Sequence, residues 1–147
     1  MTKIKLFFSY SNLDKNKMKA FKECADEYKI FEILIQSGDN FKNLSQKVIE
    51  GIDECDYFIP LLTQNSKKEQ WINQEIGYAF AKKQDKILPI VDKNLVVELK
   101  GFINNQLDLP FCYQGDTKYK SQEAKSFKEN AQKLLENIKK KITLKKK

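Results

Sequence analysis

Along the chain, short apolar runs alternate with stretches in which apolar residues recur every three or four positions. Ile4-Lys5-Leu6-Phe7-Phe8 suits a buried strand and stops at Ser9-Tyr10-Ser11-Asn12, which reads as a hydroxyl-rich turn. Met18, Phe21, Ala25 and Tyr28 then mark one face of a helix starting near Asp14. Phe31 to Ile35 is a second strand. Ser37-Gly38-Asp39-Asn40 is a turn signal opening a polar loop, and Asn43 with Gln46 caps a second helix carrying Leu44, Val48, Ile52 and Cys55. Tyr57 to Leu62 is a third strand, although Pro60 within it removes a ladder donor and belongs more naturally at an edge or bulge. Lys86 to Val91 and Leu109 to Tyr113 read as the fourth and fifth strands. Leu95 to Gln106 is ambiguous, compatible with a short helix broken at Gly101, and Gln114 to Lys120 is a polar loop. Ala124, Phe127, Ala131, Leu134, Ile138 and Ile142 line a long closing helix.

The helix between the third and fourth strands carries the most chemistry. Ser66 followed by Glu69 has the spacing of a capping box, which places the helix start at about Lys67. Ile72, Ile76, Ala79 and Phe80 form its core face. Trp71, Glu75 and Tyr78 form a second stripe on the shoulder of that face, expected to be neither fully buried nor fully exposed. There an aromatic ring and a carboxylate one turn apart either line a cleft or serve as ordinary packing and solvated residues.

Strands alternating with helices at this spacing call for an α/β fold: a five-stranded, mainly parallel, doubly wound sheet in flavodoxin-like order 2-1-3-4-5, with helices on both faces. In that order the chain reverses between strands one and three, and ligands bind at the carboxyl ends of those strands. Ser9 to Ser11 follow strand one, Thr63 to Ser66 follow strand three, and the Trp71/Glu75 helix leaves the same crevice. Periodicity and topology therefore point to one place.

Composition narrows the chemistry available there. At 147 residues the chain fits a single domain, read as 1–143, with a basic tail at 144–147. It lacks a membrane-length apolar run and a signal-peptide pattern, so it reads as soluble and cytosolic. Cys24, Cys55 and Cys112 are widely spaced and sit in apolar segments, as reduced core thiols do. There is no His and no Arg; all 27 basic residues are Lys. His-dependent nucleophilic mechanisms and His-ligated zinc sites are thereby excluded, and any anionic ligand must be held by Lys, hydroxyls or backbone N–H groups. No metal or cofactor is called for. The net charge of +7 is spread along the chain and densest at the C-terminus, without the Lys and aromatic stripes of a nucleic-acid surface.

Several segments, in order, resemble a known family. Phe7-Phe8-Ser9-Tyr10-Ser11 with Asp14, Ile52 with Cys55 to Ile59, Leu61 to Ser66, Trp71-Ile72-Asn73-Gln74-Glu75-Ile76-Gly77, and Ile87 to Ile90 are similar to a bacterial TIR (Toll/interleukin receptor) domain. The resemblance implies cleavage of the nicotinamide–ribose bond of NAD, giving ADP-ribose or a cyclic form, in bacterial immune or anti-phage signalling. It places the catalytic glutamate of a Trp-x-x-x-Glu motif at Glu75, beside Trp71. Ser9, Tyr10, Ser11, Asp39 and Asn65 become substrate-binding candidates, NAD being substrate rather than cofactor. Ser66 is equally a cap or a ligand contact. The resemblance further implies self-association through the loop at Asp39 to Lys42, a partner effector or sensor protein, and activity that rises on assembly. Pro60 and the lack of an Arg after strand two depart from the family pattern.

The chemistry suits a chain without His. The leaving group of NAD is a cationic pyridinium that departs neutral, so the second carboxylate that protonates the leaving oxygen in glycosidases is not required. The alternative is a non-catalytic TIR-type interaction module. A phosphoacceptor receiver domain would need acids where Ser9 to Ser11 and Thr63 to Asn65 stand, and a nucleoside-ribose transferase would turn over nucleosides in preference to NAD.

Overall fold

The architecture, seen in a computed structural model that describes residues 2–38, 46–68, 71–98, 110–115 and 118–145, is built outward from one buried strand. β1 (Ile4–Ser11) lies between β2 (Phe31–Gly38) and β3 (Tyr57–Leu62), and every residue from Leu6 to Ser11 is buried. β4 (Ile90–Asp92) and β5 (Phe111–Tyr113) complete a five-stranded sheet in the order β2-β1-β3-β4-β5, parallel throughout. The fold class read from periodicity is the one observed.

Alternation along β1 divides the core. Leu6, Phe8 and Tyr10 face α1 (Lys15–Tyr28) and the long C-terminal helix α4 (Lys120–Lys145), where they join Phe21, Ala25, Phe127, Ala131 and Leu134. Phe7 faces the other way, onto α2 (Gln46–Glu54) and α3 (Trp71–Lys83), with Val48, Ile52, Phe58, Leu62, Ile76 and Ala79. A period of two in a strand covered on both faces produces these two apolar layers. Lys83, at the end of α3, donates from its ammonium to the carbonyls of Asp53 and Cys55 and so closes the C-terminus of α2.

The elements differ from the sequence reading in several places. Ser9 to Ser11 are not a turn but the last residues of β1, because β2 continues beside them and pairs Ser9 with Gln36, Tyr10 with Ser37 and Ser11 with Gly38. Pro60 sits inside a regular central strand. Phe58 pairs with Ile87 and Leu61 with Ile90, so Pro60 falls at the register position of Pro89, where no ladder pair joins β3 to β4. The missing Pro60 N–H thus falls at a gap in the ladder, while on its other side Pro60 pairs with Ser9 of β1. β4 spans Ile90–Asp92 rather than Lys86 to Val91: 84–86 form a 3-10 turn, and Ile87 makes an isolated bridge to Phe58 ahead of the strand. A 3-10 helix over Lys93–Glu98 covers the start of the ambiguous Leu95 to Gln106 segment, whose remainder lies outside the described residues. The closing helix runs to Lys145.

Candidate functional site

The carboxyl ends of β1 and β3 meet α3 through buried polar side chains. Ser9, on the same face of β1 as Phe7, donates its hydroxyl to Glu75 Oε1 over 2.8 Å. Glu75 lies in the second turn of α3 and is only 3% exposed. This corrects the expectation that the residue lies on the shoulder of the core: the Ile76 and Ala79 face is inserted far enough that its neighbour is covered too. An apolar environment penalises an unpaired carboxyl group heavily, and the bond to Ser9 answers part of that cost. Tyr78, from the same stripe, turns instead to α2 and donates to Asp53 Oδ1 over 2.8 Å. That bond pushes the Tyr78 hydroxyl pKa above its ordinary value.

The loop before α3 holds a reciprocal cap with the spacing of the box expected at Ser66 and Glu69. The reciprocal pair is Thr63 with Ser66, three residues earlier. The Ser66 N–H donates to Thr63 Oγ1 over 3.2 Å, and the Thr63 N–H donates to Ser66 Oγ over 2.8 Å. Residues 66–68 form a 3-10 turn, and α3 spans Trp71–Lys83. Glu69 lies outside the described residues. On the outer side of this loop Lys67 pairs with Glu98 at 3.0 Å, and that hydrogen bond holds the Glu98 carboxyl below its usual range.

A second polar knot lies just beyond β1. Asp14 is 1% exposed. It accepts from Thr63 Oγ1 at 2.6 Å and from Asn65 Nδ2 at 2.8 Å. Lys17 stands 3.8 Å from Asp14 and 3.5 Å from Glu123, tying the knot to α4. Ser11 Oγ accepts from the Leu13 N–H and caps the 3-10 turn that leads to Asp14.

The site residues read from sequence are therefore distributed as follows. Ser9 meets Glu75, Asn65 meets Asp14, and Ser11 caps the turn that leads to Asp14. Tyr10 points away: its ring packs on the opposite face, 5.8 Å from that of Phe8, because adjacent residues of a strand point to opposite sides. Trp71 opens α3, with its side chain outside what is described, and Asp39 lies outside the described residues, as does the Asp39 to Lys42 loop. Sequence reasoning gave Asp14 no role beyond a helix start and Thr63 none beyond a loop. Their bond spans 49 positions. Periodicity carries no signal for a contact of that kind.

Among the described residues no three His, Cys, Asp or Glu side chains converge to hold a metal ion, and no helix is long and apolar enough to cross a membrane. The cysteines are free thiols, and burial raises the pKa of all three, that of Cys55 to about 11. Thiolate is the reactive form. Iodoacetamide at neutral pH should therefore label partly exposed Cys112 first and reach Cys24 and Cys55 only with unfolding. Mass spectrometry of a labelling time course checks this; Cys55 labelling as fast in buffer as in urea would contradict it.

The fold has solved counterparts. A flavodoxin-like domain from Synechococcus superposes with a TM-score of 0.64 at 11% identity, over 92% of this chain and 99% of its own. A WrbA-like flavodoxin from Agrobacterium tumefaciens gives 0.51 at 13% identity, over 95% of this chain and 99% of its own. At such identities the likeness is one of fold. No curated protein matches the chain. The TIR domain family model matches residues 6–135, from β1 into α4, and the chain belongs to that family.

Proposed function

We propose that the protein cleaves the nicotinamide–ribose bond of NAD, with Glu75 as the catalytic group. The observation that carries this reading is the Ser9–Glu75 hydrogen bond of 2.8 Å at the switch point of the sheet. It holds a carboxylate where α/β sheets of this order receive ligands.

The C1′–N bond breaks with its electron pair going to the pyridinium nitrogen, so nicotinamide leaves neutral and positive charge develops on the ribose ring. Glu75 stabilises that charge electrostatically. A ribose hydroxyl that takes the place of Ser9 makes the same O–H···O bond to the carboxylate. Trp71 offers a face for nicotinamide or adenine by stacking and cation–π attraction. Ser9, Ser11 and Asn65, with the positive end of the α3 segment, supply donors to ribose and phosphates in a chain without Arg. Water capturing the oxocarbenium carbon loses a proton and gives ADP-ribose; capture by an adenine nitrogen gives a cyclic product. Self-association through the Asp39 to Lys42 loop completes the site, and the role is in bacterial immune signalling.

The test is nicotinamide release from NAD by the wild-type protein over a range of protein concentrations, with products separated by chromatography. Release that rises more steeply than protein concentration is expected. No release at any concentration, including under crowding, would overturn the catalytic reading in favour of a non-catalytic interaction module.

A further inference from the structure

Asp14 stands at the N-cap position of α1, yet its side chain makes no hydrogen bond to that helix. It reaches across to the loop after β3 instead. Oδ2 accepts from the Thr63 hydroxyl and Oδ1 from the Asn65 amide, so each oxygen holds a different residue of that loop.

The direction of these bonds matters. The Thr63 hydroxyl proton points at Asp14, which leaves the lone pairs of Thr63 Oγ1 to accept from the Asn65 N–H at 3.1 Å and the Ser66 N–H at 3.2 Å. Asp14 therefore orients the hydroxyl that closes the loop's own cap. The Lys67 N–H then bonds to the Thr63 carbonyl at 3.0 Å, starting the 3-10 turn that leads to α3. Ser9 and Asp14 both leave from the end of β1. One is tied to Glu75 within α3, the other to the loop that launches α3.

We propose that Asp14 is a positioning residue that, through Thr63 and Asn65, fixes the start of α3 and thereby sets where Glu75 stands against Ser9. The part of this that concerns catalysis rests on the reading of Glu75 given above; the part that concerns the start of α3 does not. Near a reacting carbon a displacement of about 1 Å costs on the order of a hundredfold in rate, so a loosened launch of α3 is felt in turnover before it is felt in binding.

The experiment uses the full chain with Asp14→Asn, Thr63→Val, the double variant and Thr63→Ser. Trp71 is the only tryptophan and opens α3, so acrylamide quenching of its fluorescence reports on this segment without any need for turnover. An amide has one acceptor oxygen where the carboxylate has two, and valine has none, while serine restores the hydroxyl.

Asp14→Asn and Thr63→Val should each raise Trp71 quenching and lower kcat about tenfold or more, with KM for NAD within about threefold of wild type. The double variant should be no worse than the worse single one, and Thr63→Ser should restore both readings. Circular dichroism and a thermal melt confirm that each variant is folded; if Asp14→Asn is not, Thr63→Val and Thr63→Ser decide.

If the wild type releases no nicotinamide but quenching rises as described, the control of the α3 start stands and the catalytic reading of Glu75 falls. Unchanged quenching in folded variants overturns the proposal. So does an altered quenching with unchanged kcat, a rise in KM alone, or additive single effects.

Discussion

Glu75→Gln is expected to lower nicotinamide release from NAD by about a hundredfold or more while leaving the fold in place, the loss that follows removal of a principal electrostatic group at a transition state. The substitution isolates charge from packing. The glutamine carbonyl occupies the position of Oε1 and still accepts the Ser9 hydroxyl, whose bond is 2.8 Å in the wild type. Side-chain size is nearly unchanged, so the Ile76 and Ala79 face of α3 keeps its seat. What disappears is the negative charge that offsets positive charge on the ribose. Glu75→Ala is a poorer probe, because it also empties a buried site and leaves the Ser9 hydroxyl without that acceptor. The measurement is chromatographic release of nicotinamide at a protein concentration where the wild type is active, paired with a thermal melt. A variant as stable as wild type and as active would remove Glu75 from the chemistry. The family alone does not decide, since one fold hosts both enzymes and scaffolds.

What was legible beforehand follows the range over which each signal acts. The five strands and the helices between them come from short apolar runs and a 3.6-residue periodicity, which are written locally; the strand order comes from the fold that such alternation calls for. Glu75 was legible as a candidate because its helix leaves the switch point. Its burial was not, because a side chain on the shoulder of an apolar face is covered or exposed according to how deeply the helix sits. Ser9 and Ser11 read as a turn because hydroxyls follow a run of five mostly apolar residues; in the structure β2 extends alongside them and the ladder continues. A reciprocal cap forms at Thr63 and Ser66, three residues before the Ser66 and Glu69 box read from the sequence, whose Glu69 lies outside the described residues. Thr63 to Ser66 has the same three-residue spacing as Ser66 to Glu69, but with a serine in the acidic position it does not stand out in the sequence. Pro60 argued against a regular strand, yet it lies at a register position where β3 and β4 form no ladder pair. Asp14 was the least legible, because its partners Thr63 and Asn65 belong to another loop and meet it only after the sheet has formed.

Gly51→Ala is expected to destabilise the protein, although alanine is the better helix former. Gly51 lies within α2, where alanine in place of glycine contributes about 1 kcal/mol through backbone entropy and propensity. Against this, a Cβ at position 51 would stand 1.9 Å from Phe7 Cε2 and 2.4 Å from Cδ2. One of the two must move. The Phe7 ring is 3% exposed and lies 5.8 Å from that of Phe58, in a layer with Ile52 and Ile76, so it has little room to turn aside. Overpacking of a filled core costs about 1–3 kcal/mol, and so close an approach belongs at the upper end. The collision therefore outweighs the propensity gain, leaving a net loss of about 2 kcal/mol and a fall in Tm of about 4–8 °C for a domain of this size. Phe7→Leu should open space at the same point. Gly51→Ala should then cost less in the Phe7→Leu background than in wild type, with a coupling of about 1 kcal/mol or more. Urea denaturation of the four proteins measures both terms. A Gly51→Ala variant as stable as wild type would mean that α2 lifts away from β1 at no cost, and that the contact seen between Gly51 and Phe7 does not set the distance between them.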